Sequence, residues 1–161
     1  MAQVDYFLKF DGIKGESTDA KHKDEIDVLS WSWGVSHAGG MGQGGGGGEG
    51  RASFHDFNLT HQVDKASPVL MKACATGEHL KDATITVRKA GKGQQEHLVI
   101  TMTDVLVTSV STSVSVEGDA TIESVALVFA KVDLEYKPQK PDGSLDAGLH
   151  FRYDLKANKT V

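Results

Sequence analysis

The sequence predicts a mainly β fold in one domain, and three observations support this prediction. Apolar and polar residues alternate with period two over most of the chain, as in strands that bury one face. One segment alone, residues 67–76, has the start, spacing and stop signals of a helix. A length of 161 residues suits a single domain over residues 1–161, because a second domain would be too small to carry a core.

The first strand is predicted at residues 4–10. Val4, Tyr6, Leu8 and Phe10 share one face of it, and Asp5 and Lys9 share the other. This pattern indicates a strand with one buried face. Residues 14–25 follow as a polar segment of mixed charge, which is typical of a solvated loop.

A second strand is predicted around the two tryptophans. Its apolar side carries four large side chains, Leu29, Trp31, Trp33 and Val35. We expect Trp31 and Trp33 in the core, because aromatic residues that alternate with small ones are more often buried than exposed. The opposite side carries Ser30 and Ser32.

A glycine-rich loop is predicted at residues 39–50, which hold nine of the 18 glycines. Twelve residues reach about 40 Å when fully extended, enough to touch a neighbouring subunit. A surface insertion without function is the equally good alternative. Beyond the loop the alternation changes phase near His55 and Asp56, which predicts a β-bulge.

The predicted helix at residues 67–76 has clear boundary signals. Ser67 is the expected N-cap, Pro68 the expected first helical residue and Gly77 the expected stop. Leu70, Met71 and Cys74 have helical spacing, and Leu70 and Cys74 are expected in the core. A buried thiol at Cys74 would be structural rather than reactive.

The remaining residues predict a hairpin and two long strands. The segment Gly91, Lys92 and Gly93 is the expected hairpin turn, and Arg88 and Lys89 beside it are expected to be solvated. Strands follow at residues 105–116 and 122–136, the second being the longest predicted strand. Residues 125–130 are apolar on both faces and need cover on both. A second sheet, in a barrel or a sandwich, and a neighbouring subunit are together the favoured cover.

Composition and motifs exclude several functions. A net charge of -5 gives no basic surface for nucleic acid. The glycine run contains G-x-G-x-x-G at Gly42, Gly44 and Gly47, but a strand rather than a helix follows it, so a dinucleotide site is not predicted. One cysteine cannot form a disulfide framework. The N-terminal segment lacks the features of a signal peptide or membrane span, which predicts synthesis in the cytoplasm.

No catalytic centre, metal site or cofactor site is predicted. His55, Asp56 and His61 lie close in sequence, but the spacing matches no metal-binding motif. Solvent-facing strand histidines are the favoured interpretation. No G-x-S-x-G motif marks a nucleophilic serine.

The chain resembles a known family in five segments. These are residues 14–17 (KGES), 25–34 (EIDVLSWSWG), 64–70 (DKASPVL), 88–91 (RKAG) and 136–139 (YKPQ). In order and spacing they are similar to the haemolysin-coregulated protein (Hcp) family of type VI secretion systems. A glycine-rich loop after the tryptophan strand is part of the resemblance.

The resemblance implies a compact β-barrel of two antiparallel sheets with one short flanking helix. It also implies a hexameric ring, and rings that stack into the hollow tube of a contractile injector. The implied partners are further copies of the chain, a contractile sheath, a valine-glycine repeat spike protein and small secreted effectors. The implied protein has no enzymatic activity, is exported by type VI secretion without a signal peptide, and in some relatives protects effectors inside the ring.

The resemblance suggests two sets of functional residues. Ser30 and Ser32 would face the channel of the ring and contact effectors. The ring-to-ring or subunit contacts would come from loop residues: Gly44, Gly45, Gly46, Gly47, Gly48, Gly91, Lys92 and Gly93. Two alternatives stay open, a lectin-like β-barrel that binds a ligand with its tryptophans, and a hydrolase with a His-Asp site near His55.

Overall fold

The computed structural model describes residues 4–38, 52–89, 93–114, 118 and 120–161. These residues form eleven strands and one helix. The strands are β1 Val4–Phe10, β2 Ile26–Val28, β3 Ser30–Ser32, β4 Val35–His37, β5 Ala52–Phe54, β6 Phe57–Gln62, β7 His79–Lys89, β8 Glu96–Val114, β9 Thr121–Tyr136, β10 Leu149–Asp154 and β11 Lys159–Thr160. The helix, α1, spans Ser67–Thr76.

Nine of the strands form one branched antiparallel sheet. Seven of them follow the order β11-β10-β9-β8-β7-β1-β2, and β6 and β3 branch from it. Strand β9 makes the branch, because one of its edges pairs with β8 while the other pairs with both β6 and β10. Strand β6 then carries β3 on its far edge. Strands β4 and β5 form the second sheet.

The predicted class, mainly β with two antiparallel sheets and one helix, is confirmed. The described strands do not form a continuously paired barrel, however, because the pairing is interrupted at Leu29, between β2, which pairs with β1, and β3, which pairs with β6. The sheet instead divides at β9. The predicted hairpin is present as the antiparallel pair β7 and β8.

The core fills the space between the inner faces of the branched sheet and helix α1. Leu8, Phe57 and Ile85 are fully buried there, and Leu70 joins them from the helix. The small sheet covers the other end, where the ring of Phe54 packs on Phe151 and Tyr153 of β10. One layer of aromatic side chains therefore joins the two sheets.

The helix ends as predicted but begins differently. Ala66, not Ser67, is at the N-cap position, and no side chain caps it. Ser67 is the first helical residue, and its Oγ accepts a hydrogen bond from the Asp64 amide at 3.0 Å. Gly77 ends the helix in the left-handed conformation, with φ of 68°.

Three strand predictions are wrong in detail. The tryptophan strand is divided into β2, β3 and β4, which leaves Leu29 and Val35 about half exposed. The expected bulge at His55 and Asp56 is a break between β5 and β6, where the chain leaves the small sheet and enters the large one. The longest described strand is β8, with 19 residues, rather than β9.

The prediction that Arg88 is solvated is wrong. Only 2% of Arg88 is exposed. Its guanidinium donates hydrogen bonds to both carboxylate oxygens of Asp19, at 2.6 and 3.0 Å, and to Asp5 at 3.1 Å. It also lies 4.8 Å from the centre of the Phe7 ring, within cation–π distance.

Candidate functional site

A polar face without charged side chains crosses four neighbouring strands of the branched sheet. Two rows of directly paired residues form it, and each row takes one residue from each of the four strands. The first row is Ser30, Thr60, Ser124 and Ser111, and the second is Ser32, Asn58, Ala126 and Ser109. Residues paired directly across an antiparallel ladder project from the same face. We call these eight residues the serine-rich surface.

The serine-rich surface borders a cavity of about 300 Å³. Both predicted channel residues, Ser30 and Ser32, lie on it and are exposed. The Ser30 and Thr60 hydroxyls share a hydrogen bond of 2.6 Å across β3 and β6. None of the eight residues carries a charge, although the whole chain has a net charge of -5. The surface can therefore offer hydrogen bonds without selecting a partner by its charge.

Alternation along the strands decides which side chains reach this surface. Trp31 lies between the two exposed serines of β3, and its ring stacks on Phe57 at 5.6 Å on the core side. In β8 the register shifts between Val107 and Ser109, at a β-bulge. The extra residue keeps Val110 partly buried against the core and turns Ser109 outward.

The residues predicted for the core differ in how deeply they lie. Leu70 is fully buried. Trp31, Trp33 and Cys74 are half-buried and pack against the core cluster. Trp33 contacts both Phe54 and Phe129, with ring centres about 6 Å apart. Both tryptophans are thus engaged in packing, which leaves the lectin-like alternative without a free aromatic platform.

Most of the predicted stacking residues fall outside the described part of the chain. This applies to Gly44, Gly45, Gly46, Gly47, Gly48, Gly91 and Lys92. Gly93 is described, is exposed, and has φ of 90° in the turn before β8. Their role in contacts between rings stays a prediction.

Besides Ala126, the five polar members of the serine-rich surface that were not predicted from the sequence are Asn58, Thr60, Ser109, Ser111 and Ser124. Alternation assigns each of them to an outer face of its own strand. It does not show that the four strands are neighbours, because other elements separate β3, β6 and the pair β8 and β9 from one another in the chain. The change of parity between Val107 and Val110 was the available signal for the bulge.

The predicted solvent-facing histidines behave differently from one another. His55 is exposed, but His61 is fully buried, so the prediction is wrong for His61. Its Nε2 lies 2.6 Å from Oε2 of Glu123, which is equally buried. Within the described ranges, no group of three or more His, Cys, Asp or Glu side chains is arranged to hold a metal ion.

Comparison with known proteins identifies the family. A model of the family described as "Type VI secretion system effector, Hcp" matches residues 7–136. Protein hcp1 of Pseudomonas aeruginosa is 47% identical over 157 residues, which cover 96% of this chain and 97% of that protein. This chain belongs to the Hcp family.

Solved structures of the family have the same fold. The crystal structure of Hcp1 from Salmonella typhimurium aligns over 100% of both chains with a TM-score of 0.81 and 42% identity. A structure described as a type six secretion system protein aligns over 99% of this chain and 100% of its own, with a TM-score of 0.92 and 28% identity.

Membership in the Hcp family confirms the expected link to type VI secretion and the expectation that the chain is not an enzyme. The chain is a type VI secretion protein of a structural, secreted family rather than an enzyme, and the hydrolase hypothesis near His55 is therefore dropped. Among the described residues, no helix has the length and apolar character needed to span a membrane.

Proposed function

We propose that the chain is the building block of the type VI secretion inner tube. Six copies close into a ring, rings stack into a hollow tube, and the serine-rich surface lines the channel. The observation that carries this proposal is that surface itself, a neutral polar face four strands wide. A channel lining of this kind lets cargo of either charge pass, because it presents neither fixed charges nor large apolar groups.

The edges of the four strands suggest how the ring closes. At one side of the serine-rich surface, β3 pairs with β6 alone among the described strands. At the other side, residues 107–114 of β8 pair with β9 alone, since β7 stops at the level of Leu106. Unpaired strand edges are ready to bond to another chain. If one edge of each copy pairs with the other edge of the next copy, every contact joins two different surfaces, which is a heterologous contact. Such contacts close into a ring when the rotation between neighbouring copies is a whole fraction of a full turn.

The remaining functions proposed for the family subunit follow from this ring. Small effectors bind in the channel at Ser30 and Ser32 and are carried out with the tube. The spike protein with valine-glycine repeats and the contractile sheath contact the assembled tube. The subunit is made in the bacterial cytoplasm and leaves the cell by type VI secretion.

The mass of the assembly tests the proposal. The protein at micromolar concentration should elute and scatter light as a particle of about six times 17.2 kDa, and negative staining should show rings with a central hole. A particle of one subunit mass at that concentration would rule the proposal out and favour a small ligand-binding β module.

A further inference from the structure

A buried pair of ionisable side chains lies directly behind the serine-rich surface. His61 on β6 and Glu123 on β9 are paired across the ladder and are both 0% exposed. The Nε2 atom of His61 is 2.6 Å from Oε2 of Glu123, the distance of a charge-assisted hydrogen bond. The neighbouring pair in the same ladder, Thr60 and Ser124, belongs to the serine-rich surface.

The surroundings of the pair are acidic. Asp64 Oδ2 lies 3.8 Å from Nδ1 of His61, and the Asp64 side chain is only 11% exposed. Burial raises the pKa of Asp64 above its ordinary 3.8, and the carboxylates of Glu16 and Glu123 act in the same direction, while the Ala66 amide and a charge on His61 act against it. Glu16 and Asp64 line one cavity with Asp27, whose pKa is also raised by burial.

Among the residues that the structure describes, the other elements around the pair supply no second cation close to it. Strand β8 places Thr112 opposite Glu123. Helix α1 carries one charged residue, Lys72, which is exposed, and Lys65 before the helix is exposed as well. The Lys65 amide donates a hydrogen bond to Glu16 at 2.9 Å. The His61 imidazole is therefore the side chain that can place a positive charge between Glu123 and Asp64.

We propose that His61, Glu123 and Asp64 form a proton-sensitive latch that holds β6 against β9 in the wall of the channel. The pair holds one proton between His61 and Glu123. With that proton the pair has no net charge; without it, a carboxylate is buried with no positive partner, which is strongly unfavourable. Loss of the proton therefore loosens β6, and with β6 the outer strand β3.

The proton balance gives the direction of the effect. An imidazole in an unfolded chain ordinarily releases its proton near pH 6.5, whereas the latch, as proposed, retains the proton in the 2.6 Å contact between two fully buried side chains. Above that pH the native state binds one proton more than the unfolded state. Its stability then falls as pH rises, and the unfolding equilibrium constant increases by up to about tenfold per pH unit.

The substitution His61→Lys isolates the latch from every other titrating group. An ammonium keeps its proton to about pH 10 in the unfolded chain as well, so the extra proton is no longer linked to folding. The ratio of the wild-type and variant unfolding constants should therefore grow by up to tenfold per unit between pH 7 and pH 9.5. His22, which lies between Glu25 and Glu96, contributes equally to both proteins and cancels in the ratio.

Urea unfolding followed by tryptophan fluorescence measures this ratio, and His55→Lys is the matched control. His55 is exposed, so the same substitution there should leave the wild-type pH profile unchanged. If His61→Lys does not fold, the double variant His61→Gln with Glu123→Gln replaces it, because two amides cannot titrate. A constant ratio between pH 7 and pH 9.5 for the folded variant would overturn the latch.

The functional consequence rests on the proposed ring and is tested separately from it. Wild-type rings should dissociate as pH is raised from 7 to 9.5, whereas rings of His61→Lys should persist. If the wild type forms no ring at pH 7, the proposed function fails while the unfolding ratio still tests the latch. If rings form and both proteins lose them at the same pH, the latch does not control assembly.

Discussion

Arg88 fastens the loop between β1 and β2 onto the sheet. The loop supplies Asp19, and β1 supplies Asp5 and Phe7, all in contact with the Arg88 guanidinium. A bidentate pair of this kind fixes both distance and orientation. The same loop supplies His22, whose ring stacks on Phe7 at 4.4 Å. Asp19 and His22 therefore attach the loop between β1 and β2 to the sheet at two neighbouring points.

Asp19→Asn should show how much this ion pair stabilises the fold. The hydrogen bond from Arg88 holds the pKa of Asp19 well below its ordinary 3.8. A lowered native pKa stabilises the fold above pH 3.8 and loses that effect as pH falls through the native pKa. The variant should unfold at lower urea than the wild type at pH 7, and the difference should shrink below about pH 4.

Urea titrations at pH 3, 5 and 7 test this prediction, with Asp11→Asn as the control. Asp11 is exposed, and no side-chain ion pair involves it within the described residues. A difference between wild type and Asp19→Asn that stays the same at all three values of pH would show that the charge of Asp19 is not what matters.

Ser32→Gln should report on the channel. The longer side chain projects from the serine-rich surface without entering the core, so the rings should still form. Binding of a channel effector should decrease, because the glutamine fills part of the 300 Å³ cavity. Co-purification of the effector is the measurement. Ser53→Gln, at an exposed position of β5, is the matched control. Equal recovery from both variants would place Ser32 outside the channel.

At the scale of elements, the end of α1 depends on one backbone conformation. Gly77 has φ of 68°, and a Cβ atom built there would meet nothing within 4 Å. The cost of a substitution is therefore that of the left-handed conformation alone. Gly77→Ala should lower the free energy of unfolding by about 1 kcal/mol, and Gly77→Asn by less, because Asn tolerates this conformation better.

Urea unfolding of both variants decides the point. Thr76→Ala, one residue earlier, is a useful control because its side chain is exposed and its backbone is helical. Equal stabilities of Gly77→Ala and the wild type would mean that the helix does not need to end at residue 77.

At the scale of the whole molecule, the glycine-rich segment is proposed to connect rings rather than to close them. Deletion of residues 42–48 should leave the six-copy ring intact, since the strand edges proposed to close it lie in β3 and β8. Tube formation should weaken. Negative staining and sedimentation measure both states, and tubes as abundant as those of the wild type would contradict the proposal.

The sequence was sufficient for the class of fold and for the direction of most side chains. Period-two alternation is a local property, so it correctly placed Ser30 and Ser32 opposite Trp31 before any strand pairing was known. The Pro68 and Gly77 signals placed the helix for the same reason. Local patterns could not show that the tryptophan strand divides into three pieces, because that depends on which neighbour each piece bonds to.

Tertiary structure alone decided the pairing of distant residues. His61 and Glu123 are 62 positions apart, and Arg88 and Asp19 are 69 apart. Each of these side chains is polar, and polarity by itself predicts exposure. They are buried or held in place because a hydrogen-bonding partner comes from another strand or loop, and no pattern within one strand specifies that partner. The sequence thus determined which side chains face outward along each strand, and the strand order determined that eight of them form one surface with a titratable pair behind it.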